Sequence, residues 1–540
     1  MIKNIYRCLR IKRAMLAYSL IAISVLVSCT KNFDAINTDP TQVTPEMLKA
    51  DNRYIGVFIV QMEKNVFPIS NQGTGPNNFG DEMYQITQNL TGDIFSGQQG
   101  ATGTWFGGSN NTTYNLIPSW TGAYFDRAYI GVFAAYKTIQ QTVKTQAPDV
   151  YALAQILKVA AFQRATDMYG PMPYTRAGSS DATINYDSQQ VIYQSFFKEL
   201  DSARTVLKDY LVKNPSGKPL VNYDAVYAGD YAKWIRFANS LRLRMAMRIV
   251  YADAALAKTN AEDAVNDSYG VFTANADNAA LGTYMNYNYH NPLEVITNSF
   301  GDVRMGATME CYLKGYNDPR ISSYFKASDF GGYHGVRTGI NVDRSGYIKC
   351  SAINVNQTTS TPWMSYPEVL FLRAEGALRG WNMGGGSAGI LYAQGVSASF
   401  AQNNAGDASG YLSDATSTPT SYTDPVNSSN SFNSNPSNIT IKWDDNASFE
   451  QSLERIITQK WIAVFPDGQE AWSEFRRTGY PKILPVLVNN SSGTINTTTQ
   501  IRRLPFTQNQ YSTNPAGVAS GVALLGGPDN GGTKLWWDKK

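Results

Sequence analysis

Apolar residues recur every three or four positions through the middle of this chain, a period met by helices that each bury one stripe. From Gln189 to Leu211 the stripe is Ile192, Phe196, Leu200, Ala203, Leu207 and Leu211. From Tyr231 to Tyr251 it is Trp234, Phe237, Leu241, Met245 and Ile249, which places Trp234 and Leu241 in helix–helix contacts. Leu153, Ile156, Leu157, Ala160 and Ala161 line a third helix, closed by Gly170-Pro171. Further helices are expected at about 119–145, 366–380 and 449–464. No strict repeat of about 34 residues occurs; paired amphipathic helices with diverged sequences fit the pattern.

Three stretches lack this period. Residues 66–118 are rich in Gly, Asn, Thr and aromatics, residues 268–365 mix short β-like runs with turns, and residues 401–440 are dominated by Ser, Asn, Thr and Asp. The fold class expected is mostly α: a helical scaffold with large irregular loops and few short strands. Loops held on a rigid scaffold are where binding residues concentrate.

The chain opens on a leader. Lys3, Arg7, Arg10, Lys12 and Arg13 form a positive segment, and Ala14 to Val27 an apolar one, shorter than the roughly 20 residues a membrane span needs. Leu26-Val27-Ser28-Cys29 completes a lipobox, so residues 1–28 read as a signal peptide and Cys29 as the acylated residue. Several acyl chains on one Cys anchor stably, each buried methylene adding about 0.8 kcal/mol. Residues 29–44 form a polar tether, about 50 Å long if extended at about 3.3 Å per residue, and residues 45–540 a single body. Cys8 leaves with the leader. Cys311 and Cys350 remain, able to pair in an oxidising compartment but expected as buried free thiols.

Charged residues make up 16% of the chain and the net charge is +3. The leader supplies more than that, so the mature chain has no basic field for nucleic acid. The 33 Tyr and 10 Trp suit neutral polar ligands instead.

Catalytic patterns are sparse. Only His290 and His334 are present, and no metal or phosphate motif occurs, so neither a metal nor a cofactor is expected. Gly385-Gly386-Ser387-Ala388-Gly389 fits G-x-S-x-G but lacks the preceding strand that a nucleophile elbow needs. Asp444-Asp445 reads as a solvated turn, and Glu470 with Glu474 as ordinary surface or Arg-paired carboxylates rather than a catalytic pair. Glycosidase carboxylates come from distant positions, which leaves a surface glycan hydrolase as the alternative. The favoured expectation is a protein that is not an enzyme.

A series of motifs follows the lipobox in order: Asn32 to Pro40, Ala165 to Tyr174, Phe237 to Arg248, Asn317-Asp318-Pro319-Arg320, Ser365 to Glu375, Ile456 to Lys482, and Arg503-Leu504-Pro505-Phe506. Together they resemble the SusD/RagB-type nutrient-binding lipoproteins. That resemblance implies tetratricopeptide-like helix pairs and a loop-rich ligand face. It implies an outer-membrane location facing the exterior, a glycan or sometimes peptide ligand, and a TonB-dependent, SusC-like barrel as partner. A ligand-free structural subunit of that transporter is a further alternative.

For the ligand itself, a flat aromatic covers the C–H face of a sugar ring while amides, carboxylates or Arg meet its hydroxyls. The expected site lies in residues 71–120 with help from 284–304. Trp105, flanked by Gly103, Gly107 and Gly108, is the stacking platform. Asn110 and Tyr114 follow on the same loop, and Tyr287 and Arg304 come from the second segment. Trp120, Tyr284, Tyr289 and His290 are weaker candidates, and core packing is the favoured reading of Trp120.

Overall fold

The structure, a computed structural model, describes residues 53–69, 79–282 and 290–540. The leader, the lipobox Cys29 and the tether lie outside the described residues. The chain divides into two units, Met1–Ile55 and Gly56–Lys540, and the second holds the helical scaffold and both strand pairs.

The longer α-helices are α1 (Arg53–Val66), α2 (Ala134–Val143), α3 (Pro148–Tyr169), α4 (Gln189–Lys213), α5 (Tyr231–Arg248) and α6 (Ala254–Val265). They continue with α7 (Ala307–Gly315), α8 (Tyr366–Leu378), α9 (Ala388–Gln402), α10 (Phe449–Ala463), α11 (Gly468–Thr478) and α12 (Pro515–Leu525). Their starts are written locally. Ser188, Asp230, Asp253, Ser365, Ser387 and Asp467 each cap a helix by accepting from a backbone N–H, and Ser448 with Gln451 forms a full capping box on α10. Pro148 starts α3 at a position whose N–H has no partner anyway.

Consecutive helices α2 to α6 each pack on the next, and α5 passes the contact on to α8. There α8, α9 and α10 pack mutually, and α10 leads into α11. The links from α2 to α3 and from α5 to α6 are short, which makes those neighbours antiparallel helix pairs. Almost every residue of α3 is buried, which marks it as the central helix. Trp234 and Leu241 are buried as their spacing requires, and the Trp234 indole donates to Asp224 at 2.6 Å.

Strands are few and short. β1 (Gln99–Ala101) pairs antiparallel with β3 (Val303–Met305), Gly100 facing Arg304. β2 (Ala279–Leu281) pairs antiparallel with β4 (Thr361–Met364). Cys311 and Cys350 are both buried and free.

Three expectations need correction. The helix expected at about 119–145 is broken into Pro118–Thr121, Ala123–Arg127, a π-helical turn Ala128–Phe133, and α2. Residues 66–118 hold a helix, Phe79–Tyr84, running into a nine-residue π-helical stretch, Gln85–Asp93. Residues 268–365 contain a second such stretch, Val295–Ser299, as well as α7. The stretch Gln85–Asp93 escapes a 3.6-residue search because, Leu90 and Gly92 apart, its buried residues are the polar Gln85, Thr87, Gln88, Asn89, Thr91 and Asp93, which bond to one another and to distant groups such as Asp302 and Arg164. Gly92 lets it dock: a Cβ there would lie 2.6 Å from the Gln469 backbone, and one on Gly468 would lie 2.3 Å from that of Asp93.

Candidate functional site

The two π-helical stretches flank a surface trough of about 520 Å³. Its walls carry Gln85, Ile86 and Leu90 from the first stretch and Phe300 and Asp302 from the residues after the second. Trp105 and Trp120 form the aromatic side. Their rings meet edge to face, centroids 5.7 Å apart at 87°. Phe106 adds a third ring, 5.5 Å from Trp120 and 61% exposed. Both Trp side chains are only partly covered.

Backbone geometry creates this platform. Trp105 folds back so closely over Gly103 that a Cβ there would lie 2.4 Å from the indole. Phe106, Gly107 and Gly108 then take φ of 55°, 64° and 87° in succession. A bulky residue at positive φ is strained and persists only where its surroundings over-determine it. Here the turn is pinned from outside: Asn110 Nδ2 donates to the Trp105 carbonyl at 3.0 Å, and Thr113 Oγ1 donates to that of Gly108 at 2.9 Å.

Polar groups sit opposite the rings. Asp302 accepts from Gln85 Nε2 at 2.9 Å and from the Arg344 guanidinium at 2.8 Å. Glu82 is exposed at the edge. Aromatic faces, a fixed carboxylate and an amide can together take up the apolar face and the hydroxyls of a sugar.

The structure sorts the residues singled out from sequence. Trp105 lines the trough. Asn110 does not: it is fully buried, its Oδ1 accepts from Thr112 N at 2.9 Å, and its amide props up the Trp105 carbonyl. Tyr114 is also a correction, being 3% exposed and packed on Phe95, with burial pushing its hydroxyl pKa up. Arg304 is a third. It faces Gly100 across the β1–β3 pair, but its guanidinium donates to the carbonyls of Ile348, Thr297 and Val303 and is mostly covered. Tyr287 lies outside the described residues, as do Tyr284 and Tyr289. His290 is buried.

The SusD-like family, described as Susd and RagB outer membrane lipoprotein, matches residues 35–538. The chain belongs to the SusD-like family. Among solved structures it is similar to a chitin-binding SusD homolog from Flavobacterium johnsoniae, at 44% identity over 90% of this chain and 99% of that one, with a TM-score of 0.85. A SusD homolog from Bacteroides uniformis is 38% identical over 90% and 99% of the two chains, with a TM-score of 0.83. One from Bacteroides vulgatus is 36% identical over 91% and 98%, with a TM-score of 0.84. No curated protein matches the chain.

In this SusD-like protein the motif residues differ in character from those of the trough. Those within 165–174, 237–248, 365–375 and 456–482 meet in a buried ionic network. Arg248 of α5 holds Asp167 at 3.2 Å, Glu470 at 2.5 Å and Glu474 at 2.5 Å. Lys460 reaches Glu470 at 2.8 Å, Arg244 holds Glu368 at 2.6 Å, and Arg477 holds Glu375 and Glu474 at 2.6 Å each. Burial pushes the Glu470 carboxyl up, but Arg248, Lys460 and Arg244 outweigh it and hold its pKa down at about 2. Glu470 and Glu474 are therefore Arg-paired structural carboxylates.

The other catalytic patterns resolve in the same way. Ser387 caps α9 by accepting from Ile390 N, after a turn rather than a strand. Asp444 accepts from Asn446 N and Asp445 from the Trp443 indole. Sequence reasoning missed Phe106, Phe300, Asp302 and Gln85, and undervalued Trp120. The Gly-Gly pair after Phe106 was a usable signal, since it marks a turn that throws the preceding ring outward.

Proposed function

We propose that this protein binds a saccharide in the Trp105–Trp120 trough and delivers it to a TonB-dependent outer-membrane transporter. The observation that carries the reading is the partly open aromatic platform facing Asp302 and Gln85. Apolar rings exposed beside fixed polar groups suit a ligand whose own surface is half C–H and half hydroxyl. The chitin-binding activity of the Flavobacterium johnsoniae relative supports a glycan as the ligand. The lipobox supports attachment through Cys29 and the family description supports the outer membrane; that the protein faces the exterior is part of the same proposal.

Binding to immobilised neutral polysaccharides, chitin among them, and to a peptide panel tests the ligand class. Retention on a glycan that is lost in Trp105→Ala is the expected result. Release of reducing ends from a bound glycan would instead make the protein a hydrolase. Loss of all glycan and peptide binding, with the transporter still co-purifying, would make it a structural subunit. The anchor is tested by labelled fatty acid, which Cys29→Ala should not incorporate.

A further inference from the structure

A second cleft, of about 360 Å³, lies where the β2–β4 sheet, the end of α9 and residues 291–293 meet. Tyr324 and Phe465 stand together at its base, ring centroids 4.8 Å apart. No charged side chain lines it; its polar groups are amides and hydroxyls.

Three of those amides are held in one orientation by bonds at one end. Asn278 must turn its Oδ1 to the Tyr366 N–H at 2.7 Å, so its NH2 donates to Gln402 Oε1 at 2.9 Å. That fixes Gln402 with its own NH2 on the far side. The Asn403 NH2 donates to the Ser399 carbonyl at 2.8 Å, and that of Asn354 to the Ser322 carbonyl at 3.0 Å. The Gln402 NH2 and the Oδ1 atoms of Asn403 and Asn354 make no further hydrogen bond among the described residues. The cleft thus holds a donor and two acceptors already oriented, above an aromatic base and without a charge.

We propose that this cleft is a second saccharide subsite, for a neutral stretch of the glycan bound at the trough. The inference rests on the saccharide reading of the trough. A neutral sugar needs donors and acceptors together with an apolar surface, and ordering them in advance lowers the entropy lost on binding. The two sites are also linked. Asn291 and Leu293 line the cleft and Phe300 lines the trough, and the helical residues Pro292–Glu294 and Val295–Ser299 lie between. Only that short helical segment separates the two linings along the chain, and one oligosaccharide that engages both sites gains avidity.

Isothermal titration of the full-length protein with short and long oligomers of N-acetylglucosamine, xylose, mannose and glucose tests this. The variants are Trp105→Ala and the double change Gln402→Ala, Asn354→Ala, each checked by melting temperature. Loss of the two hydrogen bonds that Gln402 and Asn354 would make, about fivefold each, is expected in the double variant for long oligomers, with short ones retained at the trough. If Trp105→Ala removes binding and the double variant binds long oligomers as the wild type does, the trough stands and the second subsite falls. If only the double variant loses binding, the cleft stands and the trough reading falls. If no oligomer binds the wild type, both fall. Should the double variant fail to fold, Gln402→Glu, which replaces the oriented donor by a charged acceptor, serves in its place and must weaken long-oligomer binding by a similar factor.

Discussion

The buried network around Arg248 and the aromatic turn at Trp105 solve opposite problems. In the network, several helices bring full charges into a dry interior. No one of them is tolerable without its partners, because a lone buried ion costs several kcal/mol. At the turn, three rings are left partly in water and the strain sits in the backbone, at the φ of 55° on Phe106. The network ties α5, α8, α10 and α11 to one another. The turn is pinned locally, by Asn110 and Thr113 and by the packing of its rings on Trp120. The first region should therefore govern stability and the second recognition.

The largest expected effect breaks the network. Arg248→Met leaves Asp167, Glu470 and Glu474 short of their cation and should destabilise by about 3–5 kcal/mol, read as a large fall in the denaturation midpoint. A variant that melts like the wild type would end the comparison at once.

Next in size is the response to pH. Glu470 has a folded pKa of about 2 against an ordinary value of 4.5. Its contribution is present above 4.5 and lost as pH falls through about 2, on the order of a few kcal/mol. Asp93 has the opposite sign. Burial raises its carboxyl from 3.8 to about 8, with Asp467 adding to the rise and hydrogen bonds from Gln88, Asn89 and Gly468 opposing it. Its contribution is full below 3.8 and lost as pH rises through about 8. Asp93→Asn should accordingly flatten the decline in melting temperature between pH 4 and 8, while leaving the acid limb unchanged. A slope identical to the wild type would show that Asp93 does not titrate there.

Smaller in stability but decisive for recognition is Trp105→Ala. It should weaken saccharide binding at least about tenfold, about 1.4 kcal/mol, with little change in melting temperature. Equal losses of stability and binding would make Trp105 a packing residue and erase the contrast. The smallest effect is expected from Phe106→Gly. Relief of the left-handed φ and loss of a mostly exposed ring should shift stability by less than about 1 kcal/mol, while titration shows a modestly weaker affinity.

Much of the scaffold was legible in the chain. The stripes of α4 and α5 announce themselves because helix period is a short-range property. Trp234 belongs to that class. Glu470 and Glu474 were readable as surface or Arg-paired carboxylates, and only the fold buried them in a network that reaches Glu375 and Asp167. The π-helical stretch Gln85–Asp93 was not legible, since its polar residues are buried by partners distant in the chain, such as Asp302 and Asp467.

The site divides along the same line. From sequence alone, the glycines around Trp105 identified a turn that holds an aromatic away from the core, because φ and side-chain volume are properties of a few neighbouring residues. Asn110 and Tyr114 share that loop, but only the fold decided that one caps the turn from within and the other enters the core. Burial depends on which distant segments cover a residue, and neither composition nor spacing encodes that directly. The pairing of β1 with β3 and the helical stretch Val295–Ser299 likewise brought Phe300 and Asp302 to Trp105 and Trp120. Sequence thus determined the striped helices and pointed to one partly open ring, Trp105. Tertiary contact determined which residues share the trough, since long-range packing alone places residues from distant parts of the chain on one wall.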